Sequence, residues 1–383
     1  MEKEKYSIII TLLCLCMAMG GCSKEEVAAD TATETLTLQL QLPPALTVEV
    51  GESKGRAISL ADIQINDVWA VQYAANGNFK KSQYISGDGN IVKNDENSKY
   101  LVRVTTSGFF NEDSRFYILV NTGNNSLITN QDITEENLKK LTVDLTNGVS
   151  TNAVPVFLTA GPISFTQLAE EGQQADGEGV KAIITAPLSR PYAALKFTYN
   201  SKNPEKGKFV PTSLSLGNLP TKMTVHADGN SSITDFTSSE RNLTIDGWTS
   251  GGPLNEVYIG ENLRGFGSGK TFQEKNLNGK GPGPNGSLDK CTYAVLTGTY
   301  YYRTGGDASN GYTYTTNGIT VSYKFYLGGS LLDDYNIIRN TLYTVTINIG
   351  GANSADIRLT VTNGNVSYFD EVEEVQPEYE VIL

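Results

Sequence analysis

The chain reads as all-β, with two tandem β-sandwich domains of short, mostly antiparallel strands. Three observations carry that reading. Apolar and polar residues alternate at period two through many short stretches, the spacing that gives a strand one buried face. Clusters of Gly, Asn and Pro punctuate those stretches, and the 383 residues include 38 Gly and 20 Tyr, a composition suited to strands and turns. A single short segment has helical spacing. At about 100–200 residues per domain, this length predicts two domains.

The first alternating stretch sets Leu36, Leu38, Leu40 and Leu42 against Thr35, Thr37, Gln39 and Gln41, and Pro43-Pro44 ends it. Leu46, Val48 and Val50 alternate again, and residues 51–56 are polar and contain glycine, which predicts an exposed loop. Strand character resumes over 58–65 and 68–73, followed by the turn signal Asn76-Gly77 and by 100–104 and 116–120. A helix is predicted with Asp132 as its cap, Glu135 three residues on, and Leu138 and Leu141 on its apolar face. Residues 156–158, 180–185 and 193–199 predict the closing strands of the first domain. The polar run 200–208 then predicts a boundary, dividing 57–204 from 205–356. Later strands are predicted over 213–216, 221–226, 243–245, 257–259 and 291–302, and most strongly over 319–327 and 343–349. Residues 265–290 read as a long loop rich in Gly and Pro, and no internal repeat is visible.

Residues 1–21 start with Lys3 and Lys5, continue through an apolar core, and close on Gly20 and Gly21 before Cys22. That is the pattern of a secretory signal peptide, too short to remain as a spanning helix. The ending Met19-Gly20-Gly21-Cys22 resembles a bacterial lipobox, which makes Cys22 the lipidation site. Cys14 and Cys16 leave with the signal, Cys22 takes lipid and Cys291 stands alone, so no intramolecular disulfide is expected. The net charge is −12, and −9 without the first 56 residues. An acidic body argues against nucleic acid or anionic lipid as partner. His226 is the one histidine, which excludes His-cluster metal sites and weighs against a Ser-His-Asp or Cys-His unit. No acid/base constellation is visible, so an enzyme is the least supported class, and no cofactor is implied.

Three stretches, in this order behind a lipobox, resemble the Bacteroidales fimbrillins, the subunits of type V pili. They are Arg56 followed by Ile65-Asn66-Asp67-Val68-Trp69-Ala70-Val71-Gln72-Tyr73, then Leu188-Ser189-Arg190 leading into Ala193-Ala194-Leu195-Lys196-Phe197, then Tyr323-Lys324-Phe325-Tyr326-Leu327-Gly328-Gly329 with residues 334–347. The last stretch is nearest the minor-fimbrium subunits, and residues 357–383 match least well. The resemblance implies two transthyretin-like sandwiches and an outer-membrane lipoprotein precursor that becomes a cell-surface fimbrium. It implies that residues 22–56 are a propeptide, that a trypsin-like protease cuts between Arg56 and Ala57 (Lys54 being the fallback site), and that the strand carrying Leu36, Leu38, Leu40 and Leu42 then leaves. A donor strand from another subunit takes its place, satisfying the exposed backbone edge and filling the side-chain pockets. The candidate donor here is the tail 357–383, where Ile357, Leu359 and Val361 alternate and Val366 and Tyr368 alternate after Asn363-Gly364. The implied partners are other fimbrial subunits, the processing protease, a host or bacterial surface ligand, and the outer membrane through the lipid until processing.

Other signals point elsewhere only weakly. Gly267-Ser268-Gly269-Lys270-Thr271 looks like the end of a phosphate-binding loop, but that motif needs Gly where Arg264 stands, so an exposed flexible loop is expected. Tyr300, Tyr301, Tyr302, Tyr312 and Tyr314 are expected to be strand residues, half of them packed inward, rather than a glycan platform. His226 is expected at a polar strand position, and the acidic run from Asp370 to Glu380 as a solvated tail rather than a Ca²⁺ site. Two further functions compete with a stalk subunit. One is a tip or accessory adhesin of the same fimbriae. The other is a surface glycan-binding lipoprotein, which would need exposed Trp platforms where the chain has only Trp69 and Trp248.

Overall fold

The computed structural model describes residues 34–43, 64–87, 89–94, 99–106, 114–128, 133–145, 157–164, 173–176, 179–226 and 235–363. Cys22, Arg56, Ala57, Val366, Tyr368, the second alternating piece at 46–50, the Asp132 cap and the acidic run lie outside them. The strands in chain order begin with β1 (Glu34–Gln41), β2 (Asp67–Ala74), β3 (Phe79–Ser86), β4 (Ile91–Asn94) and β5 (Lys99–Thr106). They continue with β6 (Ser114–Val120), β7 (Thr142–Asp144), β8 (Leu158–Ser164), β9 (Gln173–Asp176) and β10 (Gly179–Pro187). The second set is β11 (Tyr192–Ser201), β12 (Gly207–Gly217), β13 (Lys222–Thr224), β14 (Arg241–Asn242) and β15 (Val257–Gly260). It ends with β16 (Tyr293–Asp307), β17 (Gly311–Tyr314), β18 (Ile319–Tyr326), β19 (Thr341–Gly351) and β20 (Ser354–Asn363). Helices α1 (Glu135–Lys139) and α2 (Phe272–Lys275) are each little more than one turn.

The first domain is a sandwich of the sheets β4-β5-β1-β10-β9 and β3-β2-β6-β8. Alternation fills its core: Leu36, Leu38 and Leu40 from β1, Val102 and Val104 from β5, and Val68, Ile118 and Val120 from the facing sheet are all buried. β2 is buried along its whole length because its sheet is covered on both faces. Val68 and Ala70 point into the main core, while Trp69, Val71 and Tyr73 pack on the other side with Leu119, Ile128 and Leu138 of α1. The polar tips there find backbone partners, Trp69 Nε1 donating to the Asn124 carbonyl at 2.9 Å and Tyr73 Oη to the Ile133 carbonyl at 3.0 Å. The helix forms where expected with a different cap: Thr134 Oγ1 accepts from the Asn137 amide at 3.2 Å. Glu135 ties α1 to the sheet, accepting from Arg115 at 2.6 Å and from the Tyr117 hydroxyl. Burial pushes the Glu135 carboxyl up, but the Tyr117 bond and the charges of Lys139 and Arg115 outweigh it and leave it below the usual range.

The second domain joins the sheets β15-β11-β19-β20 and β14-β12-β16, with β17 and β18 also paired to β16. This corrects the boundary expected after position 204. β11 pairs with β15 and β19, and Leu195, Phe197 and Tyr199 sit in the second core. The change of domain therefore falls between β10 and β11. The polar run is a turn inside the second domain, where Asn203 at φ 54 accepts from the amides of Lys206 and Gly207. A turn and a linker share the same residues, so composition alone misplaced it. Both domains repeat one arrangement that no sequence repeat announces. In each, the first strand lies between a parallel and an antiparallel partner, β1 between β10 and β5, β11 between β19 and β15.

A two-stranded ladder of β7 with β13 joins the domains, extended by bonds from the Leu145 amide to the Thr221 carbonyl and from Val225 to Leu141. Arg339 holds this junction. Its guanidinium meets Glu261 at 2.7 Å and donates to Thr224 Oγ1 at 2.8 Å and to the carbonyls of Thr224 and Val225. His226 lies here too, buried rather than at the polar strand position expected, with its ring edge-on to Tyr117 at 4.8 Å. Its Nε2 has no hydrogen-bond partner among the described residues, and burial with the nearby Arg339 and Lys139 charges depresses its pKa to about 3. The folded pKa lies below the ordinary value of 6.5, so the unfolded chain binds the extra proton between pH 6.5 and 3. This stabilisation is complete above pH 6.5 and is lost as pH falls through that window, on the order of 1 kcal/mol per pH unit. Urea midpoints measured from pH 7.5 to 5 are expected to fall more steeply for the native chain than for His226→Gln.

Candidate functional site

The site begins with an alternating octapeptide. Period two puts Leu36, Leu38 and Leu40 on one face, and all three are fully buried, with Leu42 just past the strand at 5% exposure. Thr37 and Gln39 take the other face, half-buried, and Gln41 is exposed. β1 is a central strand: Leu36, Leu38 and Leu40 lie opposite Val104, Val102 and Tyr100 of β5 and opposite Ala182, Ile184 and Ala186 of β10. Gln39 Nε2 reaches Thr185 Oγ1 at 3.4 Å, and the Leu188 amide donates to the Gln41 carbonyl at 2.8 Å.

The slot around β1 has consequences that follow from pairing alone. Without β1, β5 would keep only the four-residue β4 and β10 only the four-residue β9 as neighbours in that sheet. Each would present a row of unpaired backbone groups, and the core would open along the leucine row. Burying four leucines contributes roughly 6–12 kcal/mol gross. A replacement must supply a straight backbone for both edges and apolar side chains at alternate positions. It must run parallel to β10 to reproduce the existing register.

The other expected residues are distributed as follows. Ile357, Leu359 and Val361 lie in β20, whose backbone pairs antiparallel with β19, Ile357 opposite Ile347 and Val361 opposite Tyr343. Strand β20 thus extends the second domain to Asn363, past the division expected at 356. Trp69 and Trp248 are both buried, and neither can serve as an exposed platform. Tyr300 packs inward and Tyr301 takes the opposite face, the split that strand alternation predicts, while Tyr302 shares the Tyr300 face, its ring 5.3 Å away, and stays 46% exposed. Residues 265–290 are more ordered than a flexible loop. Thr271 caps α2, and Lys275 is wholly buried. Its ammonium donates to the Asp334 carbonyl at 2.8 Å and to that of Ser330, 5.0 Å from the Tyr335 ring centre. Burial lowers its pKa to about 8 despite Asp334 and Asp333. No sequence signal marked this lysine, because its partners lie some sixty residues away in the 330–335 segment.

Comparison with known proteins adds three findings. A family described only as a domain of unknown function (DUF4906) matches residues 257–347. No curated protein sequence matches the chain. Among solved structures, the tip fimbrial protein Mfa3 from Porphyromonas gingivalis, with a C-terminal truncation, superposes with a TM-score of 0.53 at 11% identity, covering 86% of this chain and 100% of that one. A candidate cell adhesion protein from Parabacteroides distasonis ATCC 8503 gives 0.53 at 13% identity, covering 88% and 99%. At these identities the likeness is one of fold, and it spans both domains. The chain therefore has the all-β, two-sandwich fold of these fimbrial and adhesion proteins.

Proposed function

We propose that the chain is a structural subunit of a cell-surface fimbria that serves adhesion or biofilm formation. In this reading it is exported as a lipoprotein on Cys22 and cut after Arg56, so that Ala57 becomes the new N-terminus. It polymerises when a strand of a neighbouring subunit takes the slot of β1. One observation carries the reading: a central, fully packed strand lies wholly on the N-terminal side of Arg56. A cut there would leave β1 held by non-covalent contacts alone, and its loss would create an edge that another strand can fill. The contact is head-to-tail and does not close on itself, which builds a filament. The shared fold with a tip fimbrial protein supports the same class.

Mass spectrometry of the N-terminus of fibre-bound protein tests the reading. Chains beginning at Ala57, and a precursor of Arg56→Ala that stays uncut and monomeric, are the expected results. Fibres made of uncut, Cys22-lipidated chains would overturn it.

The pairing of β20 favours a second reading, a tip or accessory subunit. Ile357, Leu359 and Val361 are engaged in this chain's own sheet, so a stalk subunit would have to donate Val366 and Tyr368 from beyond β20, or release β20 from β19. A tip subunit accepts a strand and needs to donate none. Immunogold labelling separates the two, since a stalk subunit decorates the shaft and a tip subunit only its end.

A further inference from the structure

The second domain carries an open depression of about 350 Å³ where the outer face of β16 and β18 meets the loop after α2. Tyr293, Lys324 and Tyr326 alternate with the buried Ala294 and Phe325 and so lie on that outer face. Asn278, Ser287 and Asp289 rise around them from the loop. We propose that this depression binds a neutral pyranose unit of a glycan.

Of the two rings in the aromatic floor, Tyr326 is the less engaged, since the Lys324 ammonium stands closer to Tyr293. Tyr293 is used on both faces: Gly217 lies against one, where an added Cβ would come within 2.1 Å of the ring, and Lys324 Nζ stands 3.7 Å above the centre. Tyr326 meets its aromatic neighbours Tyr293 and Tyr335 at steep angles, with ring centres 5.7 and 6.3 Å apart, which fixes its ring; Lys324 Nζ lies 5.5 Å from its centre, farther than from Tyr293. A fixed, half-buried tyrosine offers a flat apolar surface beside polar groups, the combination that a sugar ring with its axial hydrogens and equatorial hydroxyls requires.

The polar rim is free and preorganised. The Asn278 side chain and the Asp289 carboxylate have no hydrogen-bond partner among the described residues, and both are exposed. An amide both donates and accepts and a carboxylate accepts twice, which suits vicinal hydroxyls. Ser287 Oγ already accepts from the Asp289 amide at 3.1 Å, so its own proton is left to donate outward. The glycine-rich loop is stapled by bonds from the amides of Gly279 and Gly281 to the Gly286 carbonyl at 3.0 and 2.8 Å. Added Cβ atoms at Gly281 and Gly286 would fall within 2.3 Å of backbone. A loop this tightly packed loses little freedom when it binds. One carboxylate and one ammonium line the depression, and the ammonium already stacks on Tyr293, so an uncharged ligand fits better than an acidic one.

Saturation-transfer NMR on the full uncut chain tests this, with N-acetylglucosamine, galactose, glucuronate and the open-chain polyol mannitol as probes. Transfer to one or both neutral pyranoses is expected, with none to mannitol and a weaker signal from glucuronate. Asn278→Ala and Asp289→Ala are each expected to weaken the sugar signal about fivefold, the loss of one hydrogen bond. Thr299→Ala, on the same sheet face but away from the depression, is expected to leave it unchanged. Absence of transfer to both neutral sugars, equal transfer to mannitol, a stronger glucuronate signal, or indifference to both rim variants would overturn the proposal. The uncut precursor suffices, so this outcome is independent of whether the chain polymerises.

Discussion

The full chain carrying Leu38→Asp and Leu40→Asp is expected to lose its first domain while retaining a folded second one. Both leucines are fully buried between β5 and β10. Each loses roughly 1.5–3 kcal/mol of apolar burial, and each new carboxylate either sits unpaired in the core or takes up a proton, costing several kcal/mol more. The combined effect is comparable to a domain's whole stability of about 5–15 kcal/mol. The two tryptophans separate the outcomes, since Trp69 belongs to β2 and Trp248 to the second core. Trp69 emission should be that of an unfolded segment already without denaturant, and Trp248 should still show a cooperative transition. A native-like transition at both would show that β1 does not hold the first sandwich together.

Arg339→Met should destabilise the chain by about 3–5 kcal/mol, because it leaves the buried Glu261 without its partner. The side chains of Arg339 and Glu261 are 11% and 5% exposed, so water cannot replace the lost bonds. The loss reaches beyond the pair, as the same guanidinium fixes the carbonyls of Thr224 and Val225 at the end of β13. The junction with β7 should therefore loosen first, seen as faster amide exchange at Leu145 and Val225. Removing both charges in Glu261→Leu with Arg339→Met should recover part of the stability, since no ion is left unpaired. A single-variant effect under about 1 kcal/mol would show that the pair is solvated in the native state.

The all-β class and the first strand were legible because each is a local pattern. Four leucines at period two before Pro43-Pro44 can bury one face in only one way, and the register in the structure follows it. What was not legible depends on partners distant in the chain. β11 was read as the end of the first domain because nothing in its residues says that β19, some 150 positions later, is its neighbour. His226 looked like an ordinary polar strand position until Tyr117 packed against it from the other domain. The rim of the depression was hidden because Gly and Pro predict a loop but not whether its amides close on each other. The candidate donor residues read as spare for the same reason: no local feature tied them to β19.

The parallel pairing of β1 with β10 also sets the order of events during folding. Gln39 and Thr185 are 146 residues apart, so the strand that completes the first sheet is separated from one of its two neighbours by most of that domain. Closing so long a loop is entropically slow, and strands joined this way find each other after the local hairpins have formed. On first folding, the local β2–β3 hairpin is therefore expected to pair before β1 reaches the edge of β10. A chain caught between those two steps would carry the same open slot that removal of β1 would create. Changes that slow the docking of the first strand are thus expected to raise self-association during refolding, read as a concentration-dependent refolding yield.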